Sequence, residues 1–110
     1  NNLIYFQELL EKHYKTERSI IFYASLFALS TGSFSKKIKK QFSKSPSYLI
    51  QERVILEAKK LLHLTYKSIK EIAHDLNFED EFYFSRYFKK NVGVSPRSYR
   101  NTVGISIVAK

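Results

Sequence analysis

An all-α fold of about seven helices is predicted on three observations: apolar residues recur at helical spacing nearly everywhere, cap residues and helix-start prolines punctuate the chain, and strand-like alternation is confined to Val103-Gly104-Ile105-Ser106-Ile107-Val108, too short to build a sheet alone. The first helix runs from about Leu3 to Tyr14, with Leu3, Phe6, Leu10 and Tyr14 on one stripe. The second, from about Ile20 to Phe27, turns Ile20, Tyr23, Ala24 and Phe27 inward. Ser30 caps a third that buries Phe34, Ile38 and Phe42, with Leu29 and Phe34 spaced as a hydrophobic staple. A long fourth helix starts at Pro46, behind the cap Ser45, and runs to about Leu64 with Ile50, Val54, Ala58, Leu61 and Leu62 as its stripe. Ser68-Ile69-Lys70-Glu71 is a capping box and opens a fifth that buries Ile69, Ile72, Ala73 and Leu76. Asp80 caps a sixth with Phe84 and Phe88 inside, and Ser95-Pro96 starts a short seventh that ends near Arg100 to Thr102.

A chain of 110 residues makes one compact domain or two small subdomains, which excludes a large multidomain enzyme. Apolar residues at 44% and only five Gly plus Pro exclude disordered and low-complexity classes. With no cysteine, disulfides, thiolate nucleophiles and Cys-based metal sites are excluded, and a reducing compartment fits. No apolar run approaches the roughly 18 residues that span a bilayer, and no signal peptide opens the sequence, so a soluble, cytoplasmic protein is expected. The absence of Met predicts that the chain is part of a longer protein or is processed.

The net charge of +9 points to a polyanionic partner, nucleic acid or an anionic membrane surface. Its distribution is more informative. Residues 1–29 sum to zero, whereas 30–50 carry +5 with no acid, centred on Lys36, Lys37, Lys39, Lys40 and Lys44. Residues 68–100 net only +1, so the first half is expected to supply more of the affinity.

Residues 30–46 superpose without a gap on 80–96 at a shift of 50, and six of the seventeen pairs are identical: Phe34/Phe84, Ser35/Ser85, Lys39/Lys89, Lys40/Lys90, Ser45/Ser95 and Pro46/Pro96. Upstream, Ile20, Tyr23, Ala24 and Phe27 match Ile69, Ile72, Ala73 and Leu76 at a shift of 49, which gives the second copy one extra residue in its turn. The chain is therefore a tandem duplication of a helix, a short turn, a basic-faced helix and Ser-Pro.

Such a unit describes a helix-turn-helix, whose second helix must be apolar on one side and free of bulky acids on the other to approach phosphates and base edges. In the first copy Gly32, Ser35, Lys36 and Lys39 form that face, and in the second Phe82, Ser85, Arg86 and Lys89 do. These eight are the candidates for base edges. Arg86 can bond two acceptors on guanine, Lys36 can reach the same groove edge, and Phe82 can rest on a thymine methyl. Thr31, Lys37, Lys40, Lys44, Tyr83, Tyr87 and Lys90 flank those faces as candidates for phosphates.

The run Ser68-Ile69-Lys70-Glu71-Ile72-Ala73-His74-Asp75-Leu76-Asn77-Phe78-Glu79-Asp80, then Tyr83-Phe84-Ser85-Arg86-Tyr87-Phe88-Lys89-Lys90, Gly93-Val94-Ser95-Pro96 and Tyr99-Arg100, resembles the paired helix-turn-helix DNA-binding domain of AraC/XylS-type bacterial transcription regulators. Tyr23-Ala24 and Arg53, Ala58, Leu61 and Leu62 extend the resemblance over about residues 5–100. It implies sequence-specific binding of double-stranded DNA in transcription regulation, with the third and sixth helices in successive major grooves. It also implies an effector or regulatory domain elsewhere in the parent protein, and RNA polymerase is expected as a protein partner. The corresponding organisation is a first subdomain at 1–46, a linking helix at 47–64, a second subdomain at 65–102 and a tail at 103–110. Three residues depart from the family pattern: Asn77 and Ser43 stand where glycine is usual, and Phe82 stands where a small or polar residue is common.

Plainer readings compete at several positions. A lysine run on a helix is ordinarily a solvated face, and it is the repeat that favours a functional one. Arg53, on a largely apolar helix, is read as an internal ion-pair or hydrogen-bond anchor rather than a DNA ligand. Phe82 is either a base contact or a packing residue turned sideways. Ile21 and Phe22 either pack under the first helix or mark a docking surface for another domain. Glu71, His74 and Asp75 share a helix face but lack a fourth convergent ligand, so neither a metal nor any other cofactor is expected. His13 and His63 are isolated from any nucleophile arrangement, and no enzyme activity is expected. The rival function is a protein-docking module that contacts RNA polymerase or another regulator. A membrane-surface module needs exposed apolar residues beside the lysines, where this chain has Ser and Gly.

Overall fold

The structure, a computed structural model, describes residues 2–106, with side chains from residue 4 onward. Among these residues seven helices and no strand are found: α1 (Asn2–His13), α2 (Ile20–Leu26), α3 (Thr31–Phe42), α4 (Pro46–Leu64), α5 (Ile69–Asp75), α6 (Glu81–Val92) and α7 (Pro96–Val103). The alternating tail forms no strand where it is described. Val103 closes α7, the Gly104 N–H returns to the Arg100 carbonyl, and Ser106 N–H donates to the His63 carbonyl at 2.7 Å. Ile107 and Val108, like the Leu3 side chain of the first stripe, lie outside the described residues. The chain divides into two compact units, Asn1–Arg53 and Val54–Lys110, with the division falling inside α4.

In unit 1 the core is aromatic. Phe6 of α1 has no exposed surface and meets Tyr23 of α2 and Phe34 and Phe42 of α3 edge-on, with ring centroids 5.8, 5.5 and 6.4 Å away. Phe27 stacks on Phe34, and Leu10, Tyr14 and Ile38 complete the interior. Ile20, Phe27 and Phe42, predicted to be inside, are half-buried, because each stands at a helix end. Tyr23 retains one polar bond in this core, donating its hydroxyl to the Glu17 carbonyl at 2.8 Å, and burial raises its phenol well above the ordinary range, with the Glu17 carboxylate adding to the effect. Arg53 is the internal anchor its apolar helix suggested. Its guanidinium forks onto the Glu11 carboxylate at 3.0 and 2.6 Å and lies 3.9 Å from the centroid of the Tyr14 ring.

Unit 2 is built on the same plan with a different hub. Phe78, in the turn after α5, touches Phe84, Tyr87 and Tyr83 at 5.1, 5.0 and 5.7 Å, while Phe88 bridges Phe84 and Tyr99. The capping box forms as predicted: Glu71 N–H donates to Ser68 Oγ, and Ser68 N–H donates to the Glu71 carboxylate. Arg100 ties α7 to α4 by donating to the carbonyls of Leu62 at 2.9 Å and Thr65 at 3.2 Å, groups that the end of a helix leaves unpaired.

Both turns between the paired helices have the same geometry. Ala28 and Asn77, 49 positions apart, adopt left-handed backbone with φ of 56° and 60°. Leu29 N–H bonds the Ala24 carbonyl and Ala28 N–H the Ser25 carbonyl; Phe78 to Ala73 and Asn77 to His74 repeat the pattern. Two residues lie between Asn77 and the cap Asp80, but one lies between Ala28 and the cap Ser30, which locates the extra residue of the second copy. Asn77 sustains the turn in place of glycine, whereas Ala28 has no such aptitude, since its Cβ strains left-handed backbone by about 1–2 kcal/mol. Ala28→Gly loses no buried contact, because Ala28 is exposed. After the extra freedom glycine adds to the unfolded chain, the exchange is expected to stabilise the protein by about 0.5–1 kcal/mol, measurable by thermal or urea unfolding. A fall in stability would refute that assignment of strain.

Candidate nucleic-acid interface

The two basic-faced helices are built alike from their caps inward. Ser30 accepts from Ser33 N–H and Asp80 from Tyr83 N–H, so each 12-residue helix follows directly on a cap that holds the amide three residues ahead of it. Each ends on a residue in left-handed backbone, Ser43 at φ 64° and Gly93 at φ 100°. Phe34 and Ile38 in α3, and Phe84 and Phe88 in α6, are buried to 1% exposure or less. That anchoring fixes what faces outward.

In α3 the positions opposite the anchors are Gly32, Ser35, Lys36 and Lys39, of which Gly32, Lys36 and Lys39 are exposed and Ser35 is half-buried. Thr31, Lys37 and Lys40 flank this face and are exposed. A Cβ built on Gly32 meets nothing within 4 Å, so the fold does not itself require glycine there. In α6 the matching face is Phe82, Ser85, Arg86 and Lys89, again exposed except for half-buried Ser85. Phe82 is 67% exposed, which removes the reading in which it packs sideways into its own unit. The flanking candidates divide. Lys90 is exposed, while Tyr83 and Tyr87 brace Phe78, and the Arg86 guanidinium lies 5.9 Å from the Tyr83 ring.

Lys44 differs from the other lysines of the acid-free stretch. Its ammonium pairs with Glu52 at 3.5 Å and sits 5.2 Å from the Tyr48 ring, so a phosphate there must compete with an internal carboxylate. Sequence reasoning missed this trio, although the spacing of Lys44, Tyr48 and Glu52 at four-residue steps carries the signal. The acids of the second unit cluster at the start of α6: Glu79 and Asp80 are exposed, Glu81 is half-buried, and the Asp80 carboxylate caps the helix.

The shared face of Glu71, His74 and Asp75 has other occupations. Glu71 closes its capping box, and Lys67 donates to Asp75, a hydrogen bond that raises the Lys67 pKa, with the carboxylate charges of Asp75 and Glu71 adding to it. No grouping of metal-ligating side chains is found among the described residues. Ile21 and Phe22 part company, for Phe22 packs edge-on against His13 of α1 while Ile21 stays 68% exposed.

Comparison with known proteins extends these observations. Residues 23–102 match the helix-turn-helix domain family. The chain is 30% identical over 96 residues to the raffinose operon transcriptional regulatory protein RafR of Pediococcus pentosaceus, covering 87% of this chain and 35% of that protein. It spans about a third of the length of the curated relatives it matches. Among solved structures, the C-terminal domain of the two-component response regulator yesN from Fusobacterium nucleatum subsp. nucleatum is 30% identical, with a TM-score of 0.78 over 86% of this chain and 93% of that one. The DNA-binding domain of AdpA, a global transcriptional factor solved with a target DNA, is similar in fold, with a TM-score of 0.78 at 19% identity over 90% of this chain and 89% of that one.

Proposed function

The chain belongs to the AraC/XylS-type helix-turn-helix family, and from that premise we propose how it meets its nucleic acid: as a sequence-specific binder of double-stranded DNA in transcription regulation, with α3 and α6 each entering a major groove. Gly32, Ser35, Lys36 and Lys39 of α3, and Phe82, Ser85, Arg86 and Lys89 of α6, are the residues proposed to face base edges. Thr31, Lys37, Lys40, Lys44, Tyr83, Tyr87 and Lys90 are proposed to meet the sugar-phosphate backbone. One observation carries this reading: two 12-residue helices 50 positions apart present corresponding cationic faces, alike at Ser35/Ser85, Lys36/Arg86 and Lys39/Lys89, opposite corresponding buried anchors. Duplication of a merely solvated face has no reason to preserve Ser35/Ser85, Lys36/Arg86 and Lys39/Lys89 in register.

Catalysis is no part of the proposal: beside the two helices the Asp80 carboxylate is engaged as a cap and Lys44 with Glu52 as an ion pair. No helix among the described residues is long and apolar enough to cross a membrane. We place the parent protein in the bacterial cytoplasm, with a regulatory domain outside this chain and RNA polymerase as a protein partner. Retention of purified polymerase on a promoter fragment only when the parent protein is bound would support that partner, and equal retention without it would not.

The deciding experiment is selection of bound sites from random duplexes, followed by a salt titration on the recovered site. Two unlike half-sites about 10 base pairs apart are expected, since the faces of α3 and α6 differ. Affinity is expected to fall steeply with salt, with a log-log slope of about −0.9 per phosphate neutralised. A recovered duplex that binds no better than random sequence would overturn the assignment of both helices.

A further inference from the structure

The second residue of each reading helix distinguishes the two units, and the difference bears on the DNA sequence that unit 2 selects. In α3 that residue is Gly32, which adds no side chain. In α6 it is Phe82, whose ring stands 67% in solvent, outside the cluster that Phe78 forms with Tyr83, Phe84 and Tyr87. Leaving so large an apolar surface in water forgoes the stabilisation that burial brings, and the fold gains nothing from it. The ring stands on the same face as Ser85 and Arg86, three and four residues further on, and opposite Phe84 and Phe88. An apolar group flanked by hydrogen-bond donors on a helix sized for the major groove matches one feature of that groove. The thymine C5-methyl is the apolar group the major groove presents, beside the acceptors that a guanine offers to arginine.

Resting on the DNA reading above, we propose that Phe82 is a specificity-determining residue that reads a thymine methyl, so that unit 2 selects a thymine close to the guanine gripped by Arg86. Four residues of helix rise about 6 Å, and stacked bases rise about 3.4 Å, which puts that thymine within about two steps of the guanine. Unit 1, with Gly32 at the matching position, has no such requirement for a methyl.

The test uses the duplex recovered by selection, resynthesised with deoxyuridine at each thymine in turn, which removes the methyl and leaves every hydrogen-bonding group in place. One thymine is expected whose loss of methyl weakens the wild-type chain about four-fold, the worth of one buried methyl. In Phe82→Ala the same exchange is expected to have no effect, and that thymine is expected to lie within two steps of the base pair at which Arg86→Ala relaxes preference. Because Phe82 is exposed, Phe82→Ala keeps its helical circular dichroism, and the comparison reports on binding alone. A recovered site at which no methyl matters to the wild type, or matters equally to Phe82→Ala, overturns the inference and leaves the DNA reading intact. So does Phe82→Ala weakening the recovered and random duplexes alike, as an indiscriminate wedge would, or retaining full affinity for both while losing a protein partner. Failure to recover any site overturns the DNA reading itself, and this inference with it.

Discussion

Exchange of Lys36 and Arg86 together for glutamate is expected to abolish discrimination between the recovered duplex and random sequence while leaving the helical fold unchanged. Both side chains are exposed on the outward faces of their helices, and the buried anchors beneath them, Phe34 and Ile38 in α3 and Phe84 and Phe88 in α6, are untouched by the change. Each base contact is worth about 1–3 kcal/mol of discrimination, and the two residues belong to different units, so the losses add to roughly 2–6 kcal/mol before any repulsion of phosphates by the new carboxylates. The single exchanges Lys36→Ala and Arg86→Ala are expected to relax preference at separate positions of the site. Lys40→Ala, on the flank of α3, is expected to weaken all sequences alike and reduce the salt slope by about one. Competition binding against random duplex, with circular dichroism as the control for folding, checks the set. If the double exchange weakens both duplexes equally, Lys36 and Arg86 meet phosphates rather than bases. If it leaves binding unaltered, the domain docks on protein.

The largest loss of stability is expected from Phe6→Ala. Phe6 has no exposed surface and joins Tyr23, Phe34 and Phe42, so its removal opens a cavity where α1, α2 and α3 converge. Such truncations cost about 3–5 kcal/mol, a large share of the 5–15 kcal/mol that holds a typical domain. DNA binding is expected to fall as well, though for a reason that differs from charge reversal: α3 loses the platform that fixes its outward face. Hydrogen exchange separates the two effects. Amides of α1 to α3 are expected to lose protection in Phe6→Ala and to keep it in the charge-reversal variant. The Phe78 cluster shares no residue with the Phe6 cluster, so the amides of α5 to α7 are expected to exchange as in the parent chain. Equal loss of protection across all seven helices would mean that the two units unfold as one.

What was legible in the sequence was legible for a local reason. Ser30, Ser45, Ser68, Asp80 and Ser95 cap their helices because a short side-chain oxygen reaches an amide two or three residues ahead, and the capping box at Ser68 and Glu71 closes within a single turn. The repeat was legible because duplication preserves order, and with it came the outward faces of α3 and α6. Asn77 stands where glycine is usual in the family pattern, and its side chain tolerates left-handed backbone. Ala28 gives no such sign, since alanine has no preference that betrays such a turn.

The sequence by itself thus determined the all-α class, the helix boundaries to within a residue or two at most ends, the tandem units and the residues that face outward, all consequences of spacing along one chain. Only the tertiary structure decided which far-separated groups meet. It joined Arg53 to Glu11 across 42 positions and Arg100 to the end of α4, made the turn residue Phe78 the hub of unit 2, and sent Phe22 inward while leaving Ile21 and Phe82 in solvent. Periodicity says that a face is apolar, but which aromatic ring on its margin is covered depends on the shape of the neighbouring helix, and that is known only once the helices have packed.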